Sequence, residues 1–165
     1  MKGEILHSRH GPNPSVSRER ARENILDLFA LVRVEVIRGL PSRKDLDPTD
    51  IPKLLPNVWL IDVVPPLPPF RCRLIGTAVV DARGSDQTSS FIDAELSDFS
   101  RSQTYADLQI VLSGKPSWRR GVPDQMHRLN DISGIERIFL PLASDGVTVD
   151  MVLALTVFQS QERSR

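Results

Sequence analysis

Apolar side chains recur at helical spacing in two stretches of the chain. In residues 18–39 they lie on one side of a helix: Ile25, Leu28, Phe29, Val32 and Val36. In the second stretch, Ser100 or Ser102 is a suitable cap, and Ser113, Gly114 and Pro116 stop the helix after Leu112. We therefore expect an N-terminal amphipathic helix and a second helix over residues 102–112.

β-branched and apolar runs predict strands in most of the remaining chain. Residues 57–64 and 70–84 predict two adjacent strands joined by the proline segment 65–69, and residues 117–122, 134–143 and 147–158 predict three more. Turn-forming residues fill 41–50, with one short helical turn reaching Leu55. Residues 84–100 predict a loop with one or two brief helices. This order favours an α+β fold with a five-stranded, largely antiparallel sheet and helices on one face.

The length of 165 residues fits a single domain. We expect a flexible lead at 1–17, the N-terminal helix at 18–39, the domain at 40–160 and a flexible tail at 161–165. The longest nearly apolar run, Met151 to Phe158, is too short to cross a bilayer, and the N-terminus lacks the apolar core of an export signal.

Charge and cysteine content narrow the functional classes. Lys and Arg total 21, as do Asp and Glu, so no net positive charge attracts a polyanion, and nucleic acid and membrane are not expected partners. The single cysteine, Cys72, excludes an internal disulfide and a cysteine-based zinc site and favours a cytoplasmic location. Its place in an apolar strand indicates ordinary packing.

Several short blocks carry a resemblance that no single block would establish. In chain order they are Leu40–Arg43, Asp45, Asp47–Pro48, Ile51–Pro56, Phe70–Thr77, Gly84 with Asp86 and Thr88, Leu112–Pro116, and Arg137–Leu142 with Asp145–Gly146. Together they resemble a PAS domain, of the stand-alone bacterial PAS-like family with an N-terminal helix. The resemblance extends from Ile25 to Phe158.

The resemblance implies a sensory or signalling module rather than an enzyme. PAS domains bind small ligands or partner proteins and usually form dimers, and with no output domain here a signal would pass to a partner in trans. Haem is disfavoured because residues 101–112 contain no histidine, and covalent flavin because Cys72 lies in a strand. The cofactor, if one exists, stays unknown.

Two sets of residues are candidates for these roles. The ligand-pocket candidates are expected to face inward between the sheet and the second helix: Phe70, Cys72, Leu74, Tyr105, Leu108, Leu112, Leu140 and Leu142. A homodimer is expected to form through the apolar stripe of the N-terminal helix: Ile25, Leu28, Phe29, Val32 and Val36. That stripe can equally pack on the domain's own sheet.

Two other functions stay open. A small enzyme would use Asp124 to orient His127 for acid–base chemistry, although no catalytic spacing supports it. Alternatively, a filled core would leave only surface interactions. The histidines His7, His10 and His127 do not form a metal set.

Two surface features have both a functional and a structural explanation. The spacing of prolines in residues 65–69 suits polyproline recognition, but a stiff connector explains it as well. The basic, aromatic group of Lys115, Trp118, Arg119 and Arg120 could hold an anion or an acidic partner. A solvated, positively charged strand edge explains it without function.

Overall fold

The computed structural model describes Glu23 and residues 39–66, 70–92, 102–122 and 132–160. The elements there are the 3-10 turns Arg43–Asp45, Pro48–Asp50 and Leu55–Asn57, the strands β1 (Val58–Val63) and β2 (Phe70–Ile75), the helices α1 (Thr77–Arg83) and α2 (Gln103–Leu112), and the strands β3 (Ser117–Gly121), β4 (Ile132–Leu142) and β5 (Met151–Ser160). The expected N-terminal helix falls almost wholly outside these ranges and stays a prediction. The boundaries of the lead and the tail lie outside them too.

The five strands form one sheet in the order β2-β1-β5-β4-β3. Every neighbouring pair is antiparallel. β4 and β5 form a long hairpin, whose turn is held by the Asp145 carboxylate accepting from the Val147 and Thr148 amides at 2.8 and 2.7 Å. β1 lies between β2 and β5, so the first and the last strand of the domain are neighbours in the middle of the sheet. The α+β fold with a five-stranded antiparallel sheet is confirmed.

Helix α1 corrects the expectation that residues 70–84 are all strand. The strand β2 stops before Gly76, and α1 buries Val79 and Ala82 before Gly84 ends it in a left-handed conformation with φ 76°. Alanine, valine and arginine are compatible with a helix or a strand, so local propensity does not decide between them. Burial of one helical side against the sheet decides it.

Helix α2 forms where its cap and stop residues predict. The Ser102 hydroxyl accepts from the Tyr105 amide at 3.0 Å, as a helix N-cap does. Leu108 and Val111 are both 0% exposed against the sheet. The helix therefore packs on the sheet through the side that carries these two residues.

The two faces of the sheet are covered by different structures. On the face that α1 and α2 cover, called the helix face, the buried strand residues are Trp59, Ile61, Phe70, Cys72, Phe139, Val152 and Ala154. On the opposite face, called the outer face, they are Val58, Leu60, Ile138, Leu140, Leu142, Met151, Leu153 and Leu155. Residues 42–57, called the turn segment, cover part of the outer face with Leu46, Ile51 and Leu54. Both described helices thus share one face, as predicted.

Candidate functional site

A ligand-sized pocket opens on the outer face, beneath the turn segment. Its volume is about 480 Å³, within the range of small-molecule sites. Its walls come from the turn segment, β1, the end of β2 and β5: Arg43, Leu46, Pro48, Ile51, Pro52, Leu55, Pro56, Val58, Leu60, Leu74, Ile75, Gly76, Thr77 and Leu153. Arg43 and Thr77 carry the polar side chains of this lining, so the pocket favours an apolar occupant.

The turn segment is shaped by side chains that cap its own short turns. The Asp45 carboxylate accepts from the Ser42 amide and hydroxyl at 2.7 and 2.8 Å. The Asp47 carboxylate accepts from the Thr49 amide and hydroxyl at 2.8 and 2.7 Å. These hydrogen bonds, first of all those from the backbone amides, lower the pKa of both carboxyl groups. The segment therefore forms short 3-10 turns, and the pocket lies between these turns and the sheet.

Gly76 sets the closed end of the pocket. A Cβ on this residue would lie 2.4 Å from the Pro56 carbonyl oxygen and 2.5 Å from that of Leu55. The Gly76 amide also donates to the Val58 carbonyl at 2.7 Å. Only glycine permits this close approach, which brings the start of α1 against the last 3-10 turn.

The rim of the pocket combines exposed apolar side chains with one cation. Leu55 is 39% exposed and Leu74 is 46% exposed. Arg43 also lines the pocket, and its guanidinium donates to the carbonyl oxygen of Leu46, another lining residue, at 2.9 Å. The chemical character of the opening is thus apolar with one positive charge.

The eight predicted pocket residues do not share one face, which corrects the expectation that all of them point between the sheet and α2. Five belong to the helix-face core or pack against it: Phe70, Cys72, Tyr105, Leu108 and Leu112. The other three lie on the outer face, with Leu140 and Leu142 buried there and Leu74 at the pocket.

The register and alternation of the strands explain why Leu74, Leu140 and Leu142 lie on the outer face instead of the helix face. Leu60 pairs with Leu74 and Ile61 with Cys72, so Arg73 is an extra residue in β2. This bulge turns Leu74 away from the side that Cys72 faces. On β4, Phe139 points to the helix face, so by strand alternation Leu140 and Leu142 point to the outer face.

Cys72 lies where the packing interpretation places it. The residue is 1% exposed and belongs to the helix-face core. The three histidines, Asp124 and the dimer stripe fall outside the described residues, and so does part of the proline segment 65–69. Within the described ranges, no three His, Cys, Asp or Glu side chains are grouped as metal ligands.

A buried charge cluster on the helix face was missed from the sequence. Asp107 of α2 is 2% exposed. Its carboxylate accepts from Arg119 at 2.7 Å, from Arg137 at 2.9 Å and from the Ser117 hydroxyl at 2.9 Å. Burial opposes ionisation of this carboxyl group, but the hydrogen bonds from the two arginines and Ser117 outweigh it and lower the pKa of Asp107.

This cluster changes the interpretation of the basic group at residues 115–120. Arg119 was grouped with exposed cations, yet its guanidinium is paired with Asp107. Arg119 and Arg137 lie directly opposite each other on β3 and β4, and like charges in that position repel. Asp107 relieves the repulsion, and since the pairing of the two arginines depends on the register of β3 and β4, the sequence alone did not reveal it.

Comparison with known proteins defines the family. A family model described as PAS domain matches residues 20–157, which is most of the chain. None of the curated proteins compared with the chain matches it. Neither described helix has the length and apolar composition to cross a membrane. The family match agrees with the five-stranded antiparallel sheet and its helix-covered face, and the chain therefore belongs to the PAS-domain family.

Proposed function

We propose that this chain is a signalling module that receives its signal by binding a small ligand or a partner protein in the outer pocket. The observation that carries the proposal is the apolar pocket of about 480 Å³ with two exposed leucines at its rim. Exposed leucines beside a deep apolar pocket are typical of a binding site, because covering them removes apolar surface from water. A PAS domain supplies the general role, that of a sensory or signalling module.

The composition of the pocket wall supports recognition rather than bond-making. Acid–base and nucleophilic chemistry needs a carboxylate, imidazole, thiol or activated hydroxyl beside the substrate. The lining consists of apolar side chains, Gly76, Arg43 and Thr77. An occupant would be held by apolar burial and leave unchanged.

The position of the pocket suits the transmission of a shape change. The turn segment forms its roof, and the chain just before that segment is tied to the β4–β5 turn. The Leu40 amide donates to the Gly146 carbonyl at 2.8 Å, and the Ala143 amide to the Pro41 carbonyl at 2.8 Å. An occupant that moves the roof would therefore act on the start of the domain, where residues 18–39 join it.

A ligand screen with two matched variants tests the site. Leu74→Glu places a charge at the pocket, and Ile110→Glu places one on α2, at residues that are 46% and 43% exposed. A metabolite library is screened by thermal shift on both variants and the wild type. At about a hundredfold excess over Kd, a true ligand raises the free energy of unfolding by about 2.7 kcal/mol.

The expected result is stabilisation of the wild type and Ile110→Glu but not of Leu74→Glu, with the ligand recovered unchanged. An equal response of Leu74→Glu would place the ligand elsewhere. Chemical conversion of the ligand would instead support the acid–base alternative at Asp124 and His127. Native mass spectrometry of the freshly purified protein checks independently for a retained molecule.

We further propose that the module is a homodimer through the stripe of Ile25, Leu28, Phe29, Val32 and Val36. This stripe precedes the turn segment in sequence, so a ligand that moves the turn segment can act on the dimer surface. Light scattering on the wild type and on a Leu28→Asp, Val32→Asp double variant tests it. A dimeric mass that becomes monomeric in the double variant supports the proposal, and equal masses contradict it.

A further inference from the structure

We infer that the outer pocket takes an amphipathic carboxylate, an aliphatic chain with an anionic head group, and that Arg43 selects the head group. This inference rests on the proposed function, since it names the ligand class for the same pocket. Two features of the site support it: the apolar side chains of the pocket lining, and the hydrogen-bond donors that the Arg43 guanidinium keeps available.

The walls match an aliphatic chain rather than a polar metabolite. Leucine and isoleucine from three parts of the fold meet there, namely Leu46 and Ile51 of the turn segment, Leu60 of β1 and Leu153 of β5. Burying a sugar or nucleotide among them would leave its polar groups without hydrogen bonds, which is costly. A hydrocarbon chain requires none.

The Arg43 guanidinium is held in place yet keeps most of its donors available. One nitrogen donates to the Leu46 carbonyl oxygen at 2.9 Å, which fixes the group beside the pocket. Among the described residues, this carbonyl is its hydrogen-bond acceptor and no carboxylate forms an ion pair with it. Since a guanidinium has five N–H donors in a planar fork that fits a carboxylate, a ligand head group can use those that remain.

The acidic residues nearest in sequence are already engaged. Asp45 accepts two hydrogen bonds from Ser42, and Asp47 accepts two from Thr49. Each thus serves a turn of the backbone instead of pairing with Arg43. Among the described residues, the positive charge of Arg43 is thus not matched by either of these carboxylates, and an anionic ligand can take that place.

Four other arginines of the domain show what a guanidinium paired with a carboxylate looks like here. Arg71 and Arg73 both pair with Asp62 at 3.0 Å, and Arg119 and Arg137 pair with Asp107. Arg43 and the exposed Arg120 have no such carboxylate among the described residues, but of these two it is Arg43 that lines the pocket. A ligand carboxylate in the pocket can therefore be its partner.

Three ligands with the same chain separate the contribution of the head group from that of the chain. Decanoate, decanol and decyltrimethylammonium are titrated by calorimetry below their micelle concentrations, on the wild type, Arg43→Gln and Lys44→Gln. Lys44 is the matched control, because it is an exposed cation next to Arg43 that does not line the pocket. Thermal melts of each variant verify that it is folded.

We expect the wild type and Lys44→Gln to bind decanoate about fivefold more tightly than decanol, and the cationic amphiphile most weakly. In Arg43→Gln the affinities for decanoate and decanol become equal, while decanol binding is unchanged. Salt at about 1 M, where charges are screened beyond about 3 Å, weakens decanoate binding in the wild type and in Lys44→Gln but not in Arg43→Gln.

Several outcomes would overturn the inference. These are equal binding of decanoate and decanol by the wild type, the same loss in Lys44→Gln as in Arg43→Gln, or no binding of any of the three. Should decanol bind as well as decanoate and Leu74→Glu abolish both, the pocket remains a binding site and only the ligand class is wrong. If instead the library screen finds no ligand sensitive to Leu74→Glu, the proposed function fails as well.

Discussion

The helix face and the outer face of one sheet are held in different ways. On the helix face, helix α2 packs with Leu108 and Val111 fully buried and is pinned by Asp107 to two arginines of the β3–β4 hairpin. On the outer face, the turn segment consists of short 3-10 turns that satisfy their own polar groups and leave a pocket beneath them. The first arrangement stabilises the domain, and the second provides a surface for another molecule.

The aromatic contacts strengthen this difference. Trp59 and Phe139 meet edge to face at 5.5 Å on the helix face, and the Arg137 guanidinium lies 4.6 Å from the centre of the Phe139 ring. Such contacts add to the energy of apolar burial. Among the described residues, the lining of the pocket on the outer face contains no aromatic side chain. The largest single cost should therefore fall on the helix face and the smallest within the turn segment.

The largest effect is expected for Asp107→Ala. The change leaves two guanidinium groups facing each other, one of them on the 7% exposed residue Arg137, with no carboxylate between them. Removing one partner of a buried pair costs about 3–5 kcal/mol. Urea unfolding measures the loss, and Arg120→Ala, at an exposed arginine of β3, should change stability by no more than about 0.5 kcal/mol. Equal effects of the two variants would contradict the role given to the cluster.

The second effect is expected for Gly76→Ala, which tests how the turn segment joins the sheet. The added methyl group would overlap the carbonyl oxygens of Leu55 and Pro56, so the segment has to move, at a cost of about 1–3 kcal/mol. Binding at the outer pocket should weaken as well. Gly121→Ala is the control, because a Cβ there meets nothing within 4 Å. If Gly76→Ala unfolds and binds like the wild type, the close approach does not shape the pocket.

A third, smaller effect is expected for Thr156→Val on the helix face. The Thr156 hydroxyl accepts from the Trp59 indole nitrogen at 3.1 Å, and both residues are buried. Valine has the same shape but leaves the indole N–H unsatisfied, at a cost of about 1–2 kcal/mol. Chemical unfolding measures it, with Thr77→Val, an exposed threonine, as the reference. A neutral result for Thr156→Val would show that this hydrogen bond adds nothing net.

The smallest effect is a pH dependence at the turn segment. Hydrogen bonds from Thr49 lower the pKa of Asp47 in the folded protein. Its ionised form therefore stabilises the fold above the unfolded pKa of about 4, and this contribution is lost as pH falls through the lower, folded pKa. In Asp47→Asn the amide oxygen still accepts from Thr49 but no longer titrates. Urea unfolding between about pH 6 and pH 3 should show a shallower decline for the variant, and an identical decline would refute the assignment.

Sequence patterns predicted the elements whose signals are local. The strand β1, the helix α2 with its Ser102 cap and the long β4–β5 hairpin all formed as expected, because alternation, caps and turns act over a few residues. Residues 77–83 were wrongly expected to continue a strand, since a short apolar run suits both a helix and a strand. The choice there depended on the burial of Val79 and Ala82 against the sheet, which involves residues distant in the chain.

The candidate site was harder to predict, because it depends on which face of the sheet each residue occupies and not only on which helix or strand the residue belongs to. A bulge at Arg73 moved Leu74 to the opposite side of the sheet, and no residue type in β2 marks a bulge. Asp107 did leave a signal, since Thr104, Asp107, Leu108 and Val111 follow the spacing of one helical side and all four are buried. A charged residue at a core position of a predicted helix indicates a buried partner.

Composition, periodicity and block order were enough to determine the PAS-domain family, the five strands and a single cysteine buried in the core. Only the tertiary structure decided which face each strand residue occupies, which arginines are neutralised and where a pocket remains. The physical reason is that secondary structure follows from neighbours in the chain. The face that a side chain occupies, its ion pairs and the cavities depend on strand register and on contacts between residues distant in the chain. A register shift of one residue moves the side chains of a strand to the opposite face of the sheet.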